Sequence, residues 1–355
     1  MDSSGTENQQ LNGPEGLSRR RAAAAAAGPV CILGLGLIGG SLLRALDGLR
    51  TGGDVDTVGP SAPLPAAYGW NRSPATVEAA RAAGHDVSAD LDAVLARARA
   101  DDALVVVGVP MPAVDTVLAR IAEAHPGALL TDVVSVKGPV LESVRAAGLV
   151  RRYVGSHPMA GTSSTGWAAT DPSLFEGSTW VITSDGGGAP SDWRRVAALG
   201  SSTGSRLVAL PSDEHDAAVA RVSHLPHVFA ESLAASGAAG GRAALALGAG
   251  SFRDGTRVAG TPADLVRAIC EPNAAALESV LAEAIEDLQG ALAALRSGDT
   301  LGDLVERGAA GRAEFEEAHS DSGGSAAVPI VPGTDDWLEA AIAAGRKGRG
   351  VEVEF

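Results

Sequence analysis

Val30-Cys31-Ile32-Leu33-Gly34-Leu35-Gly36-Leu37-Ile38-Gly39 is the stretch whose reading decides the fold. Four apolar residues read as a buried strand, and glycines at the first, third and sixth of the next six positions read as a strand-to-helix turn. The first glycine permits a tight turn and the second lets the backbone approach a pyrophosphate. The third lets helix and strand pack closely, while the helix N-terminus offers free N–H groups and a positive dipole. A glycine-rich turn carries little by itself in a chain with 45 glycines. Its place at the first strand-to-helix junction makes Gly34, Gly36, Leu37, Ile38 and Gly39 candidate residues for a dinucleotide cofactor.

Outward from that turn, short apolar runs alternate with Ala-rich amphipathic segments as far as about Val154, the pattern of βαβ units. The strands expected are Val30–Leu33, Ala67–Trp70, Leu104–Val107, Leu129–Val134, Tyr153–Gly155 and Thr179–Thr183, the last two carrying the sheet beyond the nucleotide-binding half. From Asp213 the pattern becomes long Ala/Leu-rich helices. The fold class predicted is α/β, a Rossmann-like doubly wound sheet followed by an all-helical C-terminal domain. The divisions are a disordered tail over 1–28, a dinucleotide-binding domain over 29–185, a helical substrate-binding and dimerisation domain over 190–297, and an irregular tail over 298–355. In that last tail Val328-Pro329-Ile330-Val331-Pro332 reads as a loose turn, with Trp337 opening a short helix. Helices apolar on more than one face are often covered by a second subunit, so a homodimer through the helical domain is expected.

A length of 355 residues exceeds one core at about 100 to 200 residues per domain. The formal charge of −15 repels nucleic acid and anionic membranes, and no basic stripe offsets it. Neither is an expected partner. In so acidic a protein a site for an anionic ligand must be locally basic, which draws attention to Arg253 and Arg257. The two cysteines, Cys31 and Cys270, make neither a disulfide framework nor a metal cluster, and read as buried thiols in a reducing compartment. Arg19-Arg20-Arg21 before the apolar run Ala22–Leu43 imitates a signal peptide. However, Pro29 and five glycines interrupt that run, and a cytoplasmic location is expected.

A second strand of a dinucleotide domain normally ends in an acidic residue about 20 residues past the glycines, on the ribose 2′-hydroxyl of NAD. Residues 52–65 read as an insertion, after which Ala67–Trp70 forms the strand and Asn71-Arg72-Ser73 stands where the acid would be. On that reading Arg72 pairs with a 2′-phosphate and NADP is favoured. On the other, the strand is Val55–Gly59, Asp54 or Asp56 is the acid, and the cofactor is NAD. Val109 and Pro110, after the Leu104–Val107 strand, are expected beside the dinucleotide because ligands lie off C-terminal strand ends.

Four polar blocks come next in a chain dominated by Ala, Gly, Val and Leu: Thr131-Asp132-Val133-Val134-Ser135-Val136-Lys137, Gly155-Ser156-His157-Pro158-Met159-Ala160-Gly161, Ser223-His224-Leu225-Pro226-His227 and Phe252-Arg253-Asp254-Gly255-Thr256-Arg257. Together with the glycine turn, and in the same order, they closely resemble the prephenate/arogenate dehydrogenase family of tyrosine biosynthesis, from about Val30 to about Leu288. The resemblance implies a cyclohexadienyl substrate that gives hydride to a nicotinamide, loses carbon dioxide and becomes aromatic. Such a reaction needs a base on the ring hydroxyl, a cation for the retained carboxylate and a fixed hydride path.

His157 is the candidate base, since imidazole titrates near neutrality and Pro158 imposes an extended backbone on it. Ser135 matches the family's serine that hydrogen-bonds near the reacting hydroxyl, and it also suits a helix N-cap near Gly138. Lys137 reads as solvated or phosphate-facing. Arg257 falls on the family's substrate-binding arginine, where a guanidinium fork can clamp a carboxylate. Arg253 supports the same end, and Asp254 could hold either one. His224 and His227 share a helix face; with no third ligand group a metal is not expected, and the resemblance makes them lining of the substrate cleft. His215, in Glu214-His215-Asp216, matches a family His-Asp pair read as supporting rather than catalytic.

The chain departs from the pattern at Pro262-Ala263-Asp264-Leu265-Val266-Arg267, where many members carry a tryptophan. An aminodeoxyprephenate dehydrogenase would keep the same blocks. A β-hydroxyacid or imine enzyme would show a lysine where His215 and Arg221 stand, and a non-enzymatic dinucleotide sensor would need neither His157 nor Arg257.

Overall fold

Strand β1 (Val30–Leu33) alternates its side chains between two cores, Val30 and Ile32 in one and Cys31 and Leu33 in the other. The computed structural model describes residues 13–51, 63–162, 164–320 and 326–355. Strands β2 (Ala67–Trp70), β3 (Val87–Ser88), β4 (Leu104–Val107) and β5 (Leu129–Asp132) join β1 in a parallel sheet of order β3-β2-β1-β4-β5. The direction of winding reverses between β1 and β4, and that switch point opens a crevice beyond the strand ends. The helices of this layer are α2 (Leu37–Thr51), α3 (Pro74–Ala82), α4 (Leu91–Ala100), α5 (Met111–Ala124) and α6 (Gly138–Ala146). In-register pairing of Ala67–Trp70 with Val30–Leu33 makes Ala67–Trp70 the second strand. The alternative over Val55–Gly59, with Asp54 and Asp56, lies outside the described residues.

The strands expected to extend this sheet instead build another. Strands β6 (Ser156–Pro158), β7 (Thr179–Thr183), β8 (Arg206–Leu210), β9 (Val328–Ile330) and β10 (Val351–Val353) form a sheet of order β6-β7-β8-β10-β9, with α7 (Pro190–Ser202) crossing from β7 to its parallel partner β8. The segment expected at Tyr153–Gly155 starts at Ser156 and runs antiparallel to β7, and one parallel bridge, Leu130 to Tyr153, joins it to the first sheet. The first unit of the chain is therefore Met1–His215 with Ala327–Phe355, and the second is Asp216–Ala326. The boundary expected near residue 190 moves to 215, because β8 completes a sheet begun by β7.

Both expected tails need correction over their described parts. Residues 14–27 form helix α1 (Pro14–Ala27), which lies on α7 with Ala23, Ala24 and Ala27 buried. Alanine is the best helix former, and its small side chain lets two helix backbones approach. Arg20, 8% exposed, fixes the register by donating to Ser202 O at 3.1 Å and pairing with Glu176 at 2.8 Å. At the other end β9 pairs with β10, and β10 pairs through Val351 with Leu207 of β8. Helix α15 (Trp337–Arg346) lies between them, and its Trp337 meets Trp193 of α7 edge to face at 5.1 Å. The second unit contains α8 (Ser212–Val219) from Asp216 onward, a π-helical turn over Ala220–His224, α9 (Leu225–Ala239), α10 (Gly241–Ala246), α11 (Gly250–Thr256), α12 (Ala263–Cys270), α13 (Ala274–Ser297) and α14 (Gly302–Ser320). Pro226 has no N–H to give, which favours the widened turn just before it. Cys31 and Cys270 are both buried free thiols, each pushed up in pKa chiefly by burial.

A buried polar knot fixes β5 to β6. The Asp132 carboxylate, 1% exposed, is paired with Lys137, which is fully buried, and accepts from Tyr153 Oη at 2.7 Å and from Val134 N at 2.9 Å. Lys137 Nζ also donates to Ser156 O at 2.7 Å, Ser156 Oγ donates to Asp132 O at 2.7 Å, and Thr131 Oγ1 donates to Ser156 Oγ at 3.1 Å. Gly155 makes room for the knot, since a Cβ there would stand 2.7 Å from Tyr153 Oη. Lys137 is thus neither solvated nor phosphate-facing. A buried carboxylate stripped of its counter-ion is costly, so Lys137→Met should lose about 3–5 kcal/mol of unfolding free energy in denaturant titration. Tyr153→Phe, which removes one donor, should lose about 1–3 kcal/mol. A Lys137→Met loss under ~1 kcal/mol would show that the pair does not hold this junction.

Candidate functional site

The turn after β1 has the shape that a dinucleotide needs. Gly34 sits at φ +107°, and a Cβ there would stand 2.7 Å from the Gly108 carbonyl carbon beyond β4. A Cβ on Gly39 would stand 2.0 Å from Gly34 O, so only glycine lets α2 start this close to the turn. A Cβ on Gly36 would meet nothing within 4 Å, which leaves its backbone open to a ligand. Leu37 and Ile38 open α2, whose first N–H groups have no intrahelical partners. Val109 and Pro110 stand beside the turn, held there because Gly108 N donates to Leu33 O at 2.8 Å. One face open and the others closed by backbone fits a pyrophosphate at a helix N-terminus.

Among the described residues, the turn that directly follows β2 is Asn71-Arg72-Ser73 and carries no carboxylate. Asn71 Oδ1 accepts from Ser73 N at 2.9 Å, and Ser73 caps α3 by accepting from Thr76 N at 3.4 Å. Asn71 and Ser73 thus shape the turn, while Arg72 is exposed with no hydrogen bond or ion pair to a described residue.

His157 stands on β6, opposite Val181 of β7, and its Nδ1 lies 2.9 Å from Nε2 of His215. The rings meet edge to face at 5.1 Å, and His215 is 1% exposed. Ser135 lies just past β5 in the bend before α6, half-buried, and does not cap that helix: Lys137 occupies the cap position, with no side-chain cap bond. The knot around Asp132 thus ties the segment that carries Ser135 to the strand that carries His157, with Tyr153 and Ser156 as members that the sequence reading missed. Their signal was present in the two polar blocks, but burial of a lysine runs against its usual exposure.

In the second unit His227 and Arg257 lie near each other. The His227 imidazole is pushed below its ordinary pKa, first by burial, opposed by Glu231, and pushed further by the Arg257 guanidinium. Its Nδ1 is buried with no hydrogen-bond partner among the described residues. Arg257, at the end of α11, is exposed, as are Arg253 and Asp254, and none of the three makes an ion pair with a described residue. The pairing through Asp254 that the sequence allowed does not form. His224 is buried, and Asn273 Nδ2 contacts its Nδ1 at 3.2 Å while donating to Asp216 O at 2.8 Å, so His224 serves the helix junction rather than an open surface. Among the described residues no group of three His, Cys, Asp or Glu could hold a metal ion. Nor is any described helix long and apolar enough to cross a membrane.

Comparison with known proteins identifies the family. The family described as prephenate dehydrogenase, nucleotide-binding domain, matches residues 63–208, and prephenate dehydrogenase, dimerization domain, matches residues 211–307. A cyclohexadienyl dehydrogenase of Zymomonas mobilis is 30% identical over 277 residues, which cover 76% of this chain and 89% of that protein. A crystal structure from Corynebacterium glutamicum, provisionally assigned as a prephenate dehydrogenase, superposes with a TM-score of 0.84 at 42% identity, covering 92% of this chain and 99% of that one. Prephenate dehydrogenase from A. aeolicus shares the fold, with a TM-score of 0.66 at 21% identity over 81% of this chain and 98% of that one. The chain belongs to the prephenate dehydrogenase family and is an oxidoreductase of that family.

Proposed function

We propose that this chain is an NAD(P)-dependent prephenate dehydrogenase, converting prephenate to 4-hydroxyphenylpyruvate by oxidative decarboxylation. The observation that carries the proposal is His157: a half-buried imidazole with its Nδ1 edge engaged by His215, on the same unit as the dinucleotide turn. A dinucleotide sensor would have no use for that residue. Arogenate is the alternative substrate, since it differs only at the side-chain keto group and the Zymomonas relative carries the broader name cyclohexadienyl dehydrogenase.

The dinucleotide, when bound, supplies the hydride acceptor. His157 takes the ring-hydroxyl proton as the hydrogen on that carbon leaves with its electron pair. Ser135 hydrogen-bonds the same hydroxyl. Loss of the ring carboxyl as carbon dioxide returns its bonding pair to the ring, which becomes aromatic. Arg257, with no carboxylate partner among the described residues, clamps the retained carboxylate, and Arg253 adds positive charge at that end. A neutral His227, depressed by burial and by Arg257, offers a hydrogen bond without adding charge. His224, buried against Asn273, is a support for that wall.

NADP is the favoured dinucleotide, because an exposed, unengaged Arg72 follows β2 where an acid would repel a 2′-phosphate. The working form proposed is a homodimer through the second unit. All but one of the exposed large apolar residues among the described residues lie there, among them Leu247 at 83%, Val305 at 61% and Leu295 at 60% exposure. Patches of that kind mark association surfaces.

Initial rates with prephenate or arogenate and NAD or NADP should be highest for prephenate with NADP. Arg72→Ala should raise KM for NADP roughly 10-fold, about the worth of one charge-assisted hydrogen bond, and leave KM for NAD unchanged; equal effects on both would remove Arg72 from the site. His157→Asn should lower kcat by about 10²- to 10⁴-fold with KM within about 3-fold, the share of a general base. Surviving turnover would end that assignment. Analytical ultracentrifugation should give twice the chain mass, and Leu292→Glu with Leu295→Glu should shift it toward the monomer; a wild-type monomer would refute the dimer.

A further inference from the structure

His215 is the residue whose placement the proposed chemistry does not yet use. Its Nε2 lies 2.9 Å from His157 Nδ1, so one proton sits between the two nitrogens and one ring must donate it. If His215 donates, the His157 proton is on Nε2 and the far edge of that ring has no lone pair to receive anything. If His157 donates, its Nε2 is an acceptor. Which arrangement holds decides whether His157 can be a base at all.

The surroundings hold the two rings in one arrangement. Strand β6 holds His157 against β7, with Met159 N donating to Thr179 O at 2.7 Å. Asp185, two residues past the end of the same β7, accepts from Ser212 N at 3.1 Å and from Ser212 Oγ at 2.8 Å, which pins the first turn of α8 and with it His215. Both histidines are therefore referenced to one strand, which fixes the two rings against each other. His215 is 1% exposed, so its contact with His157 is shielded from water. A neutral acceptor beside Nδ1 suits His157 after it has gained a second proton, because the imidazolium keeps its hydrogen bond, whereas a second cation would oppose it.

We infer that His215 is a positioning residue, which accepts a hydrogen bond from Nδ1 of His157 and thereby keeps Nε2 of His157 unprotonated and aimed at the substrate hydroxyl. The inference rests on His157 being the base. It makes the pair the functional unit, with the tautomer of one ring set by the lone pair of the other. His215 itself touches no reacting atom. Isolated imidazole side chains favour the Nε2–H form, so His157 without this neighbour drifts to the unproductive tautomer.

The test uses the full chain labelled with ¹⁵N-histidine. Two-bond ¹H–¹⁵N spectra report the tautomer of each of the seven histidines, with the His157 signals identified by their loss in His157→Asn. Neutral His157 is expected as the Nδ1–H form in the wild type and as predominantly Nε2–H in His215→Leu. The kcat of His215→Leu should fall about 10- to 100-fold, the scale of a misaligned catalytic group, with KM within about 2-fold. His215→Gln, whose amide oxygen can reach the place of Nε2, should restore kcat to within about 5-fold of wild type, a rescue that a purely packing role would not produce. An Nε2–H form of His157 in the wild type overturns the inference. So does unchanged kcat in a folded His215→Leu, while the wild-type tautomer and the Gln variant still decide if the Leu variant does not fold. Turnover surviving in His157→Asn sinks the base itself; loss there with full activity in His215→Leu sinks only the positioning role.

Discussion

The Asp132 carboxylate, taken out of water at the end of β5, is the constraint on which the first unit is built. Burial of an unpaired carboxylate would cost several kcal/mol, so the fold must bring it partners, and it brings Lys137 from the approach to α6, Tyr153 from the approach to β6 and the Val134 amide. These come from both sides of the junction between the two sheets. Satisfying the ion therefore requires β5, the Ser135 bend and β6 to take one arrangement, and a network of this kind specifies geometry more than it adds stability. Ser135 and His157 inherit their places from it.

The same logic explains what could and could not be read along the chain. The strand β1, the glycine turn and the parallel strands Ala67–Trp70 and Leu104–Val107 were legible because each signal lies within about ten residues. The second sheet was not: β6, β9 and β10 are three residues each, and Val351 finds Leu207 from across the chain. Nothing local distinguishes such segments from loops. Helix α1 was missed for another reason. A run of alanines has no apolar face to contrast with a polar one, and its burial depends on α7 offering an equally flat surface. Lys137 was misread because charge is normally a mark of exposure, and the spacing from Asp132 to Lys137 does not reveal whether the side chains meet in water or away from it.

The candidate site divides likewise. The residues of the dinucleotide turn announced themselves by backbone demands that only glycine meets. His157 and Arg257 were singled out through resemblance of whole blocks, since a lone histidine or arginine carries no such demand. The contact from His157 to His215 spans 58 positions and needed the structure, although Glu214-His215-Asp216 had already drawn notice as a match to a family His-Asp pair.

Two sets of charged residues, one in each unit, are handled in opposite ways, and the difference reflects what each has to do. In the first, Lys137, Asp132, Arg20 and Glu176 are committed to partners, so their positions are fixed before any ligand arrives. In the second, Arg253 and Arg257 stand without an ion pair among the described residues, and Arg257 acts on a histidine, His227, whose Nδ1 also lacks a described partner. A guanidinium already bound to a carboxylate would have to release it before taking another, and the ligand would gain only the difference. On the proposed reading, leaving the pair open in a chain of net charge −15 forgoes some folding stability and keeps the full interaction for the ligand. On that reading the acidic remainder of the surface then acts in favour of selectivity: the substrate's retained carboxylate gains most where these arginines stand, so binding and correct orientation become the same event.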